Sequence, residues 1–304
     1  TLFPYTTLFR SYRDASAGEP PVPAAASRLG AALVLGVGLA GVPVAVTLGV
    51  LPETQRGAGF SPDEAGGLAL PPLALFQFLV PNLFGSLARP IETWWGSSVF
   101  RDGAPYFLSI YLGALVLALA VAGAATAPRR ERIVLVALAI LGGWLALGPT
   151  GGLWSLLNDL PLANAFRTPS KALFTVHFAV ALLAGRGADR LAGGGSWSLF
   201  AWVSGIGAVV AGAIAAAGWL APEDIAGLLQ LDAAESRDLA AILPGDAGRC
   251  AVTGFLGVVL AIMAQRAWLR PGLAALLLAL VVAVDLARAG VGLNRQANPL
   301  VFRP

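Results

Sequence analysis

Residues 197–220 read WSLFAWVSGIGAVVAGAIAAAGWL, a stretch with no charged side chain and with bulky apolar residues mixed among Ala and Gly throughout. A helix rises ~1.5 Å per residue and a bilayer core is ~30 Å thick, so the stretch is long enough to cross. Backbone groups in hydrocarbon must be satisfied within the segment, which a helix achieves. The stretch therefore predicts a transmembrane helix. Within it Ser204, Ala208, Gly212 and Ala216 recur every fourth residue, a row of small side chains that lets another helix backbone come close.

Working outward, further apolar runs occur at Leu29–Leu51, Ala104–Ala127, Ile133–Leu147, Ser170–Ala184, Cys250–Ala267 and Leu273–Ala289. In the mixed interval Pro52–Gly103, the apolar piece Leu73–Phe84 is too short to cross and predicts a re-entrant or interfacial element. Residues Pro222–Leu243 read as one or two amphipathic helices on the outer membrane surface, with Ile225, Leu228, Leu229, Leu239 and Ile242 on the apolar side. The expected fold class is all-α: a polytopic helical membrane protein of about seven transmembrane helices with an outer re-entrant or interfacial segment.

Composition agrees. The chain is 57% hydrophobic and 12% charged, with a mean hydropathy of +0.75; a soluble domain carries about 25% charged residues. The net charge of +3 is carried by arginines scattered between apolar runs, with one lysine, Lys171, a pattern of membrane topology rather than of a nucleic-acid face. One cysteine, Cys250, excludes an internal disulfide framework, and one histidine, His177, excludes a multi-histidine metal site.

Cytoplasmic loops carry the Lys/Arg excess. With Arg28 inside, the next inner connections hold Arg129-Arg130-Glu131-Arg132, Arg186 with Arg190, and Arg266 with Arg270. The alternate loops hold Asp159, Glu223, Asp224, Asp232, Glu235, Asp238 and Asp246. This places a multi-pass chain in the inner (plasma) membrane, amino end cytoplasmic and carboxyl end extracytoplasmic. Residues 1–11 match the translation of a short-read sequencing adapter and are set aside; a flexible cytoplasmic segment is expected over 12–27, the transmembrane domain over 28–289, and the start of an extracytoplasmic segment over 290–304. On this reading the chain is a fragment open at both ends.

The glycine pattern Gly36-Val37-Gly38-Leu39-Ala40-Gly41 matches a dinucleotide-binding fingerprint but lies inside an apolar span with no preceding strand, so it carries no cofactor. More informative is Phe166-Arg167-Thr168-Pro169-Ser170-Lys171, two cations within five residues at the mouth of a helix. Helix N-terminal amides and a guanidinium fork together suit a phosphate; the plain alternative is that Arg167 and Lys171 snorkel to headgroups. Glu53 and Arg56 leave the first span three residues apart. Asp285 lies inside the last span near its outer rim, either a site residue or a packing hydrogen-bond partner. His177 reads as a packing residue, Trp94-Trp95 with Arg89, Glu92 and Arg101 as an interfacial anchor or a sugar-stacking lip, and Cys250 as inert and without a partner.

The run Leu157–Pro161 and Phe166–Lys171, then Ala181-Leu182-Leu183-Ala184-Gly185-Arg186-Gly187-Ala188-Asp189-Arg190-Leu191, resembles the YfhO family of bacterial membrane proteins. Leu51-Pro52 with Arg56, Leu79–Gly85, and Asp285-Leu286 before Asn298-Pro299 are similar to other elements of that family. The resemblance spans Leu29 to Pro304. It implies a GT-C-type glycosyltransferase that takes sugar from a polyprenyl-phosphate donor at the outer face of the membrane and passes it to a cell-envelope glycan or lipid acceptor. It implies donor-phosphate contact by Arg167 and Lys171, with Arg56, Glu53 and Asp285 as further candidate substrate-binding residues. The catalytic carboxylate and any divalent-metal ligands are not assignable to this chain. A transporter or flippase, and a non-catalytic membrane scaffold, stay open beside the enzyme.

Overall fold

In a computed structural model of the chain, residues 22–54, 60–87, 93–152, 154, 167–291 and 293 are described. They form helices joined by turns, with no strand beyond isolated bridges at Leu83, Gly85 and Trp94. The helices are α1 (Val22–Val50), α2 (Pro62–Ala65), α3 (Ala114–Thr126), α4 (Arg129–Ala146), α5 (Leu173–Ala192), α6 (Ser198–Leu220), α7 (Pro222–Leu229), α8 (Ala233–Gln265) and α9 (Pro271–Gly290). The seven expected spans overlap α1, α3, α4, α5, α6, α8 and α9, of which α3 is only 13 residues long. Among the described residues, five stretches are long and apolar enough to cross a membrane: Gly30–Glu53, Pro169–Ala192, Ser198–Leu220, Ala233–Gln265 and Pro271–Gly290. The protein is an all-α, multi-pass membrane protein.

The chain divides into two compact units, Thr1–Gly59 and Phe60–Pro304. In the first, α1 begins at Val22, inside the segment expected to be flexible, because its Ala-rich start continues the helical pattern. Pro43 lies inside α1, and the Thr47 hydroxyl donates to its carbonyl at 2.7 Å. A Cβ added at Gly36, Gly38 or Gly41 would meet nothing within 4 Å, so these glycines serve no close approach.

The second unit is a helix bundle. Its tightest contacts are between backbones. A Cβ on Gly123 of α3 would sit 1.9 Å from the Leu183 carbonyl oxygen of α5, and one on Gly187 of α5 would sit 2.1 Å from that of Leu119. The two helices touch through reciprocal glycines, where dispersion contact rather than a hydrophobic driving force holds helices together in lipid. The small-residue row on α6 packs on α8 in the same way. A Cβ on Gly254 would meet the Ala208 Cβ at 3.0 Å and the Ser204 carbonyl at 3.1 Å. The buried Ser204 hydroxyl donates to the Gly254 carbonyl at 2.8 Å.

Two expectations are corrected. The span placed at Ala104–Ala127 has its helix only from Ala114 to Thr126, about 20 Å long at ~1.5 Å per residue. The chain before it is irregular: the Phe78 carbonyl accepts from the amides of Leu112 (3.1 Å) and Gly113 (2.8 Å), so the non-helical backbone is satisfied by protein. Around Leu73–Phe84, read as too short to cross, Pro72–Phe78 is a 3₁₀ turn whose Ala74 and Gln77 are buried. Of the one or two surface helices expected over Pro222–Leu243, the first ends at Leu229, and the remainder joins the next span as the single 33-residue α8, with Pro244 inside. Asp232 caps α8, accepting from Ala234 and Glu235 amides at 2.7 and 2.8 Å, while Glu235 accepts from the Asp232 amide. Leu239 and Leu243 are core residues rather than surface ones, because α8 needs its whole length to cover Leu79, Val80 and Trp95.

Gly187→Ala is expected to force α3 and α5 apart and to lower stability by about 1–3 kcal/mol, the usual cost of overpacking. Gly185→Ala, where a Cβ meets nothing within 4 Å, is expected to be neutral or stabilising by up to about 1 kcal/mol. Thermal unfolding of the two purified variants in one detergent checks the contrast.

Candidate functional site

Residues 60–70, 101–106 and 167–171 meet at the end of the bundle where α5 begins. The segment Ser61-Pro62-Asp63-Glu64 is a capping box with proline at the first helical position: the Ser61 amide and hydroxyl donate to Glu64 at 3.0 and 2.8 Å. Long-range bonds hold this segment down. The Leu70 amide donates to the Ala146 carbonyl at 2.8 Å, closing the end of α4. The Leu68 amide donates to Asp102, and the Ser170 hydroxyl to the Leu68 carbonyl. Arg101 pairs with Asp63 at 3.0 Å on the exposed surface.

The segment Arg167–Lys171 crosses this platform. Thr168, Pro169 and Ser170 are buried while Arg167 and Lys171 on either side are exposed. Thr168 holds φ +72°, a left-handed conformation that a β-branched residue adopts only when its surroundings impose it, and its amide donates to the Ala65 carbonyl at 3.3 Å. Arg167 lies over the Phe60 ring at 5.8 Å and Lys171 over the Tyr106 ring at 5.3 Å. Both expected cations are thus outward, each backed by an aromatic ring. Arg167 also faces Glu64. Hydrogen bonds from Ser61, aided by the nearby Arg167 charge, hold the Glu64 carboxyl below the usual carboxylate range.

Below the platform α5 carries Phe174 and Phe178, 67% and 59% exposed. Lys171 stands in the 3₁₀ turn Pro169–Ala172 that leads into α5, and Phe174 and Phe178, four residues apart, share one face of α5 as an aromatic, apolar strip. Phe107 packs edge-on against Phe174, with ring centres 5.1 Å apart. His177, on the next face, is a packing residue as expected: its Nδ1 lies 2.9 Å from the Leu173 carbonyl and its Nε2 3.2 Å from that of Ile110.

The other candidates fall elsewhere. Asp285 on α9 accepts from the Tyr111 hydroxyl at 2.7 Å, and that hydroxyl also contacts the Cys250 sulfur at 3.6 Å. Cys250 therefore has a partner, contrary to its reading as a residue without one. Gly113 (φ +82°) makes the approach possible, since a Cβ there would lie 2.8 Å from the Asp285 carboxylate. Along α8, one turn from Cys250, the buried Asp246 accepts from the Asn82 amide at 2.5 Å and pairs with Arg249. The sequence reading put Asp246 in an outer loop; the continuity of α8 draws it into the bundle. Trp95, read as part of an interfacial anchor, is fully buried against α8. Trp94 is partly buried and donates to the Gly103 carbonyl at 2.9 Å. Glu53 is exposed at the end of a 3₁₀ turn in the other unit, and Arg56, Arg89, Glu92 and Leu157–Pro161 lie outside the described residues. Among the described residues no three His, Cys, Asp or Glu side chains converge as a metal site.

The reading of the sequence missed Tyr111, Asn82 and the Ser61–Glu64 box. Only the last had a local signal, Ser-x-x-Glu with proline after the serine.

Two outcomes follow. Because the Glu64 carboxyl is held low, its contribution to the Ser61–Glu64 turn is complete above the unfolded carboxylate pKa of about 4.3 and is lost as pH falls through the lower folded value. Hydrogen exchange at the Glu64 turn is expected to accelerate only at the acid end of a pH 7–3 series, and Glu64→Gln to remove that acid step. Tyr111→Phe is expected to cost about 1–3 kcal/mol by leaving the Asp285 carboxyl without its donor. Tyr111→Phe made in an Asp285→Leu background should cost markedly less, as a double-mutant cycle of unfolding temperatures would show.

Comparison of the chain with models of known protein families, with curated proteins and with solved structures finds no match to any of them.

Proposed function

We propose that the chain is part of an integral-membrane glycosyltransferase that takes its sugar from a polyprenyl-phosphate donor at the outer face of the plasma membrane. The observation that supports this is the strip on α5: Lys171, with Arg167 beside it, stands above exposed Phe174 and Phe178. A lipid phosphate is a polar head on an apolar tail, and this face offers cations for the one and an apolar, aromatic surface for the other. The aromatic rings beneath Arg167 and Lys171 hold the cations outward. The resemblance to the YfhO family in Phe166–Lys171 agrees with this reading.

In the reaction an acceptor hydroxyl displaces the donor phosphate at the anomeric carbon, and a carboxylate takes the hydroxyl proton. The C–O bond to phosphate breaks as the new glycosidic bond forms, and the lipid phosphate leaves with the electron pair. Arg167 and Lys171 would neutralise the charge that grows on that phosphate. The acceptor class is a cell-envelope glycan or lipid. Asp285, paired with Tyr111, acts in this reading by fixing the chain before α3 and not by touching the donor.

Membranes containing the protein are expected to transfer labelled sugar from a polyprenyl-phosphate donor. Arg167→Ala and Lys171→Ala should each lower transfer about 10–100-fold, the worth of a charged hydrogen bond of about 1.5–3 kcal/mol. Normal transfer by a folded Arg167→Ala protein would remove the phosphate assignment. Donor movement across proteoliposomes without sugar transfer would instead support a flippase using the same strip.

A further inference from the structure

At the end of the bundle opposite Arg167 and Lys171, where α3 stops at Thr126 and α5 runs out, lies an open cavity of about 460 Å³ lined by Thr126, Ala127, Arg186, Asp189 and Arg190. Leu173, where α5 begins after Lys171, and Arg190 are separated by about 26 Å along α5 at ~1.5 Å per residue, so the two places are distinct. The wall is built rather than incidental. Arg186 donates through Nε to Glu131 at 2.7 Å and through a second nitrogen to the other carboxylate oxygen, a fork that fixes the plane of the guanidinium. The close approach of Gly123 and Gly187 fixes how α3 meets α5 within a turn of these residues.

Charge around the cavity is one-sided. Arg190 is exposed and makes no ion pair among the described residues, and Arg129, Arg130 and Arg132 stand exposed on the first turn of α4 beside Glu131. The lining itself carries two guanidiniums, Arg186 and Arg190, and one carboxylate, Asp189, with Arg186 held by Glu131. Basic pockets between helix ends at a membrane surface suit phosphate-bearing headgroups, and a guanidinium fork matches phosphate oxygens. Asp189 accepts but does not donate, which suits a hydroxyl on the group that the phosphate carries.

We propose that this cavity binds a phosphate group, carried by an anionic lipid headgroup or free in solution, with Arg190 and Arg186 as its cations. The site is independent of the glycosyltransferase reading, since it shares no residue with the donor strip.

The test uses the purified full chain in a neutral detergent and reads thermal unfolding against added phosphatidylglycerol, phosphatidylcholine or inorganic phosphate. Phosphatidylglycerol is expected to raise the unfolding temperature at concentrations where phosphatidylcholine does not. Arg190→Gln, folded as wild type without lipid, should need about tenfold more of it, the loss of one charged contact. Inorganic phosphate that reproduces the response and competes with the lipid would support the same site with a soluble ligand; failure to compete would assign it to the lipid. Arg270→Gln, at the α8–α9 connection, should respond as wild type. A loss as large in Arg270→Gln as in Arg190→Gln would mean diffuse charge attraction and overturn the proposal. So would an unchanged response in both Arg190→Gln and Arg186→Gln, or no response to either phosphate probe.

Discussion

Helices in lipid gain little from excluding water, so the bundle depends on how closely backbones can approach. At Gly123 and Gly187 the approach is closer than any side chain permits, and at Gly254 and Gly257 α8 rests on Ser204 and Ala208 of α6. These contacts fix α3 against α5 and α6 against α8, and the rest of the unit is arranged around the two pairs. Ser204 adds a hydrogen bond in a place where neither partner has water to turn to.

A second constraint follows from the shortness of α3. A 13-residue helix leaves backbone of the preceding segment at the depth of its neighbours, and every such amide and carbonyl needs a partner. The Phe78 carbonyl and the Leu112 and Gly113 amides meet that need, while the Asn82 and Tyr111 side chains pair carboxylates of neighbouring helices, Asp246 and Asp285. Cys250 on α8 and Asp285 on α9 lie at matching heights, about 22 and 21 Å from their helices' far ends at ~1.5 Å per residue. The polar residues thus form one belt near the rim, where carboxylates and a guanidinium are paired instead of standing alone in hydrocarbon. Above that belt, the platform built from Ser61–Leu70 and Arg101–Tyr106 raises Arg167 and Lys171 outward.

The two ends of the bundle differ in kind. One is a folded platform with buried threonine, proline and serine between exposed cations. The other is a set of helix ends joined by short turns, with guanidiniums around an open cavity. α5 connects them, and its glycine at 187 serves the packing between.

Much of this architecture was legible in local sequence. Long apolar runs have one stable solution in hydrocarbon, so the long apolar helices follow from residues near each other in the chain, as does the four-residue row on α6. The Arg167–Lys171 turn was legible too, since its proline and cations are contiguous. What local pattern could not reveal was partnership at long range: Tyr111 with Asp285 is 174 residues apart and Asn82 with Asp246 is 164. Pro244-Gly245 reads locally as a break, yet α8 runs through it because Leu239, Leu243 and Ala247 all bury against the same surface. Hydrophobic length determined which segments enter the membrane; only the close packing of the bundle decided which polar groups meet there, because an unpaired carboxylate in that setting costs far more than a local break in a helix.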